Sequence, residues 1–305
     1  MGADVDLSLS GFGEDEIGQL LKTLEARDKR ERLETFDLDA AVATAERLEP
    51  RTKLGDLWHL GDHRLLCADS TDPASVERLM DNAKAALLAT DPPYLVNYQG
   101  GNHPQSRHNS AKTKDKHWDD YEDPEAAVAF YVGFLRAALP HLAPNTAIYQ
   151  WHAHRRQALV EAAWKDCGLL VHQQLIWAKA RGVLTHSHYL WAHEPCFYGW
   201  VEGAPPSRKP PANESTVWQI DQQGASMGIH PTQKPLALFE RPMSYHTAPG
   251  AICYEPFAGS GTQLIAAERL GRRCYAIELE PRYVDVAVAR WEAFAGRPAA
   301  REASS

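Results

Sequence analysis

The sequence predicts an α/β chain built on a doubly wound, mainly parallel sheet. Three observations carry that prediction. Short apolar runs alternate with segments of helical period from residue 63 to residue 294. Cap residues punctuate the alternation, as at Thr71-Asp72 ahead of Pro73. A glycine loop, Phe257-Ala258-Gly259-Ser260-Gly261-Thr262, falls between a predicted strand and a predicted helix.

Residues 1–50 read as a helical extension, with apolar positions at helical spacing over 14–25 and 40–48 among many charges. The main domain is placed at 51–296. Strands are predicted at 63–68, 85–90, 147–151, 169–178, 194–200, 251–255 and 273–278, which makes seven. Helices are predicted at 73–80, 124–142, 155–167, 235–245, 262–270 and 281–294. Two polar stretches interrupt the rhythm: 97–118, which is rich in basic residues, and 203–215, which holds Pro205, Pro206, Pro210 and Pro211. The tail 297–305 is small and polar and is expected to fray.

Of the 305 residues, 44% are apolar and 24% charged, an ordinary globular balance. No apolar run is long enough to span a bilayer, and no signal segment is read at the N-terminus. The five cysteines are odd in number and scattered, so they read as reduced core residues of a cytoplasmic protein. No Cys-x-x-Cys spacing exists, and no metal is expected. The net charge of −8 does not advertise a nucleic-acid binder, but the charge is uneven. Basic residues gather at 107–116 (Arg107 and Lys112 among them), at His154-Arg155-Arg156, and at Lys179, Arg181, Arg208 and Lys209. Each cluster reads either as a DNA contact or as a solvated loop. Lys179, Arg181 and the segments 97–118 and 181–216 are the better DNA-reading candidates. Trp177 reads as core packing.

The chemistry is most legible at Asp91-Pro92-Pro93-Tyr94, directly after the run Ala85–Ala89. An exocyclic base amine is a poor nucleophile because its lone pair is delocalised into the ring. A carboxylate and a backbone carbonyl can accept its two hydrogens and draw the nitrogen toward tetrahedral geometry. Asp91 offers the carboxylate, Pro92 a carbonyl stiffened by the proline pair, and Tyr94 a ring on which an extruded base can stack. In the second half, Gly259 and Gly261 let a ligand lie against the backbone ahead of a helix N-terminus. Glu278 ends the next strand, where such folds hold ribose hydroxyls. His230-Pro231-Thr232-Gln233-Lys234-Pro235 leads into a helix and offers a hydroxyl and an ammonium for a carboxylate.

These motifs, in this order, resemble the beta group of DNA amino-methyltransferases, over roughly residues 55–295. The prophage-type members often follow a ParB-like domain, of which 1–50 would be a trailing edge. The resemblance implies a Rossmann-like methyltransferase fold with permuted motif order, a small inserted target-recognition region, S-adenosylmethionine as cofactor and double-stranded DNA as partner. Phe257, Gly259, Gly261 and Thr262 would surround the methionine part of the cofactor. Glu255 would join them among the cofactor-binding residues. Glu278 would hold the ribose, Asp69 the adenine amine, and Thr232 with Lys234 the carboxylate. Two positions depart from the family pattern: Glu255 stands where Asp is usual, and Gln263 where a small hydroxyl residue is common. Asp91 leans the reading toward adenine N6. Cytosine N4 is the alternative, and a protein glutamine amide, a DNA-binding regulator and a nicotinamide dehydrogenase are weaker ones. Beta-group relatives often pair, so a homodimer is plausible.

Overall fold

The computed structural model describes residues 27–32, 34–94, 124–183, 188–220 and 234–302. The predicted helix at 14–25 and the loop 97–118 lie outside them. In chain order the elements are α1 (Leu38–Ala45), β1 (Leu57–Leu60), β2 (His63–Cys67), α2 (Pro73–Met80), β3 (Ala85–Thr90), α3 (Pro124–Ala138), β4 (Leu142–Trp151), α4 (Gln157–Asp166), β5 (Leu169–Val183), β6 (Trp191–Val201), β7 (Val217–Gln219), α5 (Ala237–His246), β8 (Ile252–Glu255), α6 (Thr262–Leu270), β9 (Arg273–Glu278), α7 (Pro281–Ala295) and β10 (Ala300–Glu302).

All seven predicted strands are present and adjacent, in the order β2-β9-β8-β3-β4-β6-β5. Only β6 runs against the other six. Three short strands extend the sheet to ten: β10 and β1 at one edge, β7 at the other. β1 was passed over, although Gly61-Asp62 between two apolar runs is a two-residue hairpin signal and Gly61 has a φ of 60°. The tail also departs from expectation, because Ala300–Glu302 pairs with Leu57–His59. The predicted helix 124–142 stops at Ala138, and β4 begins at Leu142. Pro140, between them, cannot continue a helix.

The local chemistry explains the elements that carry the site. β3 is Ala-Ala-Leu-Leu-Ala-Thr, buried at five of its six positions, as an interior parallel strand must be. α2 starts where Asp72 accepts from the amides of Ala74 and Ser75, and Pro73 takes its first turn. α2, α3 and α4 cover one face of the sheet and α5, α6 and α7 the other, each with its own apolar core. The extension is not free-standing in the part described: Leu38 and Val42 of α1 pack on Val286 of α7.

In chain order the sheet grows one way through β3 and β4, and the other way through β8 and β9. The reversal between β3 and β8 leaves a crevice at their carboxyl ends, the place where open α/β sheets hold ligands.

Candidate active site

Asp91 follows β3, and the glycine loop follows β8. Leu87 is level with Cys253, and Leu88 with Tyr254. Continued four residues, the same register sets Asp91 beside Phe257, so both predicted motifs open onto one crevice.

Lys234 lies at the centre of the catalytic side and is only 4% exposed at its side chain. Its ammonium donates to Asp91 Oδ2 at 2.7 Å and to the Tyr94 hydroxyl at 2.7 Å, and it pairs with Glu194 Oε2 at 2.9 Å. It also stands 5.1 Å from the Tyr94 ring and 5.4 Å from the Trp151 ring. Tyr94 donates to Glu194 Oε2 at 3.0 Å, and Lys179 to Glu194 Oε1 at 2.5 Å. Two cations therefore balance two carboxylates in a half-buried network. Burial works against the Lys234 ammonium, but Asp91 and Glu194 outweigh it and hold its pKa above the usual lysine value. Burial likewise opposes charge on Glu194, yet Lys234 and Lys179 bring it down to about 2. At Asp91 burial wins: its carboxyl is raised, Lys234 countering only in part and Glu194 adding to the rise.

Asp91 Oδ1 is buried and has no partner among the described residues. A buried acceptor without a donor is costly and calls for a ligand. The turn carrying it is held from below, where the Tyr131 hydroxyl donates to Pro93 O at 3.2 Å.

The cofactor side is equally ordered. Glu278 accepts from the amides of Gly259 (2.8 Å) and Glu280 (2.9 Å), which spends one lone pair on each oxygen and fixes the carboxylate at the strand tip. Burial raises its pKa. Asp69 lies just past the end of β2, beside β9, where Cys67 pairs with Glu278. It is exposed, and one oxygen accepts from the amide and hydroxyl of Thr71 at 2.8 Å each. Among the described residues a Cβ at Gly259 would meet nothing within 4 Å, which leaves space over the loop. At Gly261, by contrast, a Cβ would come within 2.9 Å of Ala287 Cβ and φ is 80°. That glycine serves the turn and the approach of α6 to α7. Phe257 packs at ring-centre distances of 5.1 and 5.6 Å on Phe134 and Phe130 of α3.

The two departures from the family pattern meet each other. Gln263 donates to Glu255 Oε2 at 2.7 Å and to the carbonyl of Ala89 at 2.7 Å. Glu255 Oε1 accepts from the Thr90 hydroxyl at 2.7 Å and the amide of Phe257 at 3.0 Å. Burial pushes the Glu255 carboxyl well up. The pair laces β3 to β8 one residue below Asp91.

The structure places the other predicted site residues as follows. Lys234, expected at a cofactor carboxylate, has its ammonium on Asp91, Tyr94 and Glu194. Lys179 was a DNA-contact candidate, but it is mostly buried on Glu194 and over the Trp177 ring at 4.9 Å. Arg208 is exposed, but its segment lies toward the edge of the sheet away from Asp91. There Asn145, early in β4, donates to Pro205 O, and the Arg208 carbonyl bonds His246 at the end of α5. Within the proposed recognition region 181–216, residues 191–201 are a sheet strand. Arg107, Lys112 and Thr232 lie outside the described residues, as does the side chain of Arg181, whose backbone is in β5.

Glu194 was missed as a functional residue. Its only sequence signal is a lone acid in the apolar strand 194–200. Its partners come from segments 15, 40 and 100 residues away. His59 and His63 stand four apart, a spacing metals use, but His63 bonds Glu268 (2.8 Å) and the amide of Cys274 (2.9 Å). Among the described residues no group of three His, Cys, Asp or Glu side chains could hold a metal, and no helix is long and apolar enough to cross a membrane.

An α/β enzyme with an acid and a glycine loop at its switch point is the class that fold and site define. Within it, the family model described as DNA methylase, spanning N6 and N4 enzymes, matches residues 85–289, and the chain belongs to that family. It is 29% identical over 197 residues to YubD of Escherichia coli strain K12, a protein named as a methylase, covering 65% of this chain and 77% of that one. It is 26% identical over 223 residues to the type II methyltransferase M2.DpnII of Streptococcus pneumoniae, covering 68% and 82%. Its fold matches the crystal structure of the M1.HpyAVI–SAM complex with a TM-score of 0.55 and 24% identity, covering 74% of this chain and 97% of that one.

Proposed function

We propose that this DNA methylase transfers a methyl group from S-adenosylmethionine to the exocyclic N6 of an adenine extruded from double-stranded DNA. The observation that carries it is Asp91 Oδ1, a buried acceptor with no donor among the described residues, beside a partner oxygen already held by Lys234. An amine hydrogen is what that atom lacks. The cofactor fits the other half of the crevice: space over Gly259 among the described residues, a helix N-terminus for an acid group, and Glu278 with lone pairs left for two hydroxyls. When bound, S-adenosylmethionine would supply an electrophilic methyl group.

The chain's own residues position and polarise. Asp91 Oδ1 and the Pro92 carbonyl accept the two amine hydrogens, so the nitrogen lone pair is drawn out of the ring toward the glycine loop. Lys234 favours the anionic form of Asp91 against its burial and fixes its rotamer. Asp91 accepts a proton only as the attacked amine becomes acidic, so a strong base is not required. Lys234 and Glu194 hold the Tyr94 hydroxyl, which anchors the ring on which a base would stack. The β5–β6 hairpin and His154-Arg155, just past the end of β4, rise at this same edge, with the His154 and Trp191 rings 4.2 Å apart. They are the better candidates for the DNA-facing surface. Five free cysteines suit a reducing, cytoplasmic setting.

The test is methyl transfer from isotope-labelled S-adenosylmethionine to mixed-sequence DNA, followed by digestion to nucleosides. N6-methyladenine is expected. Label in N4-methylcytosine would move the acceptor to the alternative base, and no labelled base would overturn the reading.

A further inference from the structure

The cofactor loop has a second support that the reaction itself does not explain. Ser260 lies between Gly259 and Gly261, whose φ values are 50° and 80°. Such a loop is free to move unless something outside holds it, and holding it in advance spares a ligand the ordering cost. Arg290 of α7, 1% exposed, does the holding. Its Nη1 donates to Ser260 O at 3.1 Å, Ser260 Oγ at 3.3 Å and Thr262 Oγ1 at 3.1 Å. The other edge of the guanidinium is gripped by Glu34, with Nε donating to Oε1 at 2.5 Å and Nη2 to Oε2 at 2.9 Å. Glu34 is 256 residues away in sequence, on the N-terminal extension. That extension is tied down separately: Arg32 donates to Phe294 O at 2.6 Å, Lys29 pairs with Glu268 at 2.8 Å, and α1 packs on α7.

We propose that Glu34 and Arg290 are positioning residues for the cofactor: the extension neutralises and aims a buried guanidinium, which sets the Ser260–Thr262 backbone to receive S-adenosylmethionine. Without Glu34 the guanidinium keeps its burial and loses its bidentate partner, so it turns away from the loop or draws in water. The inference rests on S-adenosylmethionine being the cofactor.

The test is calorimetric titration of the full chain with S-adenosylmethionine, without DNA, at a temperature well below unfolding. Glu34→Ala should raise Kd roughly tenfold, the worth of about one charge-assisted hydrogen bond. Glu34→Gln, which keeps an acceptor, should recover much of that. In kinetics KM for the cofactor should rise while kcat at saturation and KM for DNA stay within about twofold. In an Arg290→Met background Glu34→Ala should change Kd no further. A folded Glu34→Ala that binds as wild type overturns the proposal. So does a variant that merely loses active fraction, lowering kcat at unchanged Kd. If Glu34→Ala does not fold, Glu34→Gln and Arg290→Lys decide, and unchanged Kd in both is refutation. Failure of the wild-type chain to bind the cofactor would instead sink the underlying reading.

Discussion

Replacing Lys234 with Met keeps length and apolar bulk but removes an ammonium that touches Asp91, Tyr94 and Glu194 at 2.7, 2.7 and 2.9 Å. Among the described residues Glu194 then keeps Lys179, and Asp91 keeps no cation in contact. Breaking a buried pair from one side costs about 3–5 kcal/mol. Part of that is met by protonation of Asp91, whose carboxyl burial already raises. A protonated Asp91 donates where it must accept, so kcat should fall by about 10²–10³, the range for loss of one preorganised polar group. The acid limb of the pH–kcat profile should also move to higher pH, because the countercharge that favours the anion is gone. Affinity for S-adenosylmethionine should change less than kcat. Steady-state methyl transfer at several pH values, with a separate titration of the cofactor, reads all three. A variant with kcat within about threefold of wild type and an unmoved acid limb would refute the electrostatic role given to Lys234. A lost cofactor affinity at unchanged kcat would return it to the carboxylate-binding role that the sequence motif suggested.

Gln263→Ser should destabilise the chain by about 1–3 kcal/mol in urea unfolding, since Glu255 Oε2 and the Ala89 carbonyl both lose a buried donor. Glu255→Asp added to it should cost less than the two single changes summed, because the two residues depart from the family pattern together. His246 Nδ1 donates to Arg208 O at 2.8 Å, its Nε2 accepts from the Tyr149 hydroxyl at 2.9 Å, and burial lowers its pKa to about 4. The unfolded chain takes up that proton below about 6.5 and the folded one only near 4, so stability should fall as pH drops through this window, by on the order of 2–3 kcal/mol. His246→Gln should flatten that part of a pH series of unfolding curves, and an unchanged slope would count against it.

β2, β3, β4, β8 and β9 were legible because each carries the buried apolar run that the interior of a parallel sheet requires. β10 was not, since Ala300, Arg301 and Glu302 are all exposed and carry no apolar run, and their partners Asp56, His59 and Arg78 are more than 200 residues away. The same division runs through the site. Asp91, the glycine loop and Glu278 sit at strand ends beside local turn signals. The meaning of Lys234 and Glu194 comes from a contact between distant segments that no local pattern encodes. Glu255 and Gln263 looked like two independent departures and became one hydrogen-bonded pair only when α6 folded over β3 and β8.

The outer strands have a consequence for solubility. Among the described residues the sheet ends on both sides in three-residue strands, β10 and β7, and the first carries Arg301 and Glu302 outward. A short, charged margin offers a passing chain little backbone to recruit. Trimming the last nine residues would bare Leu57–Leu60 as a longer apolar margin, and a chain so shortened should self-associate through it.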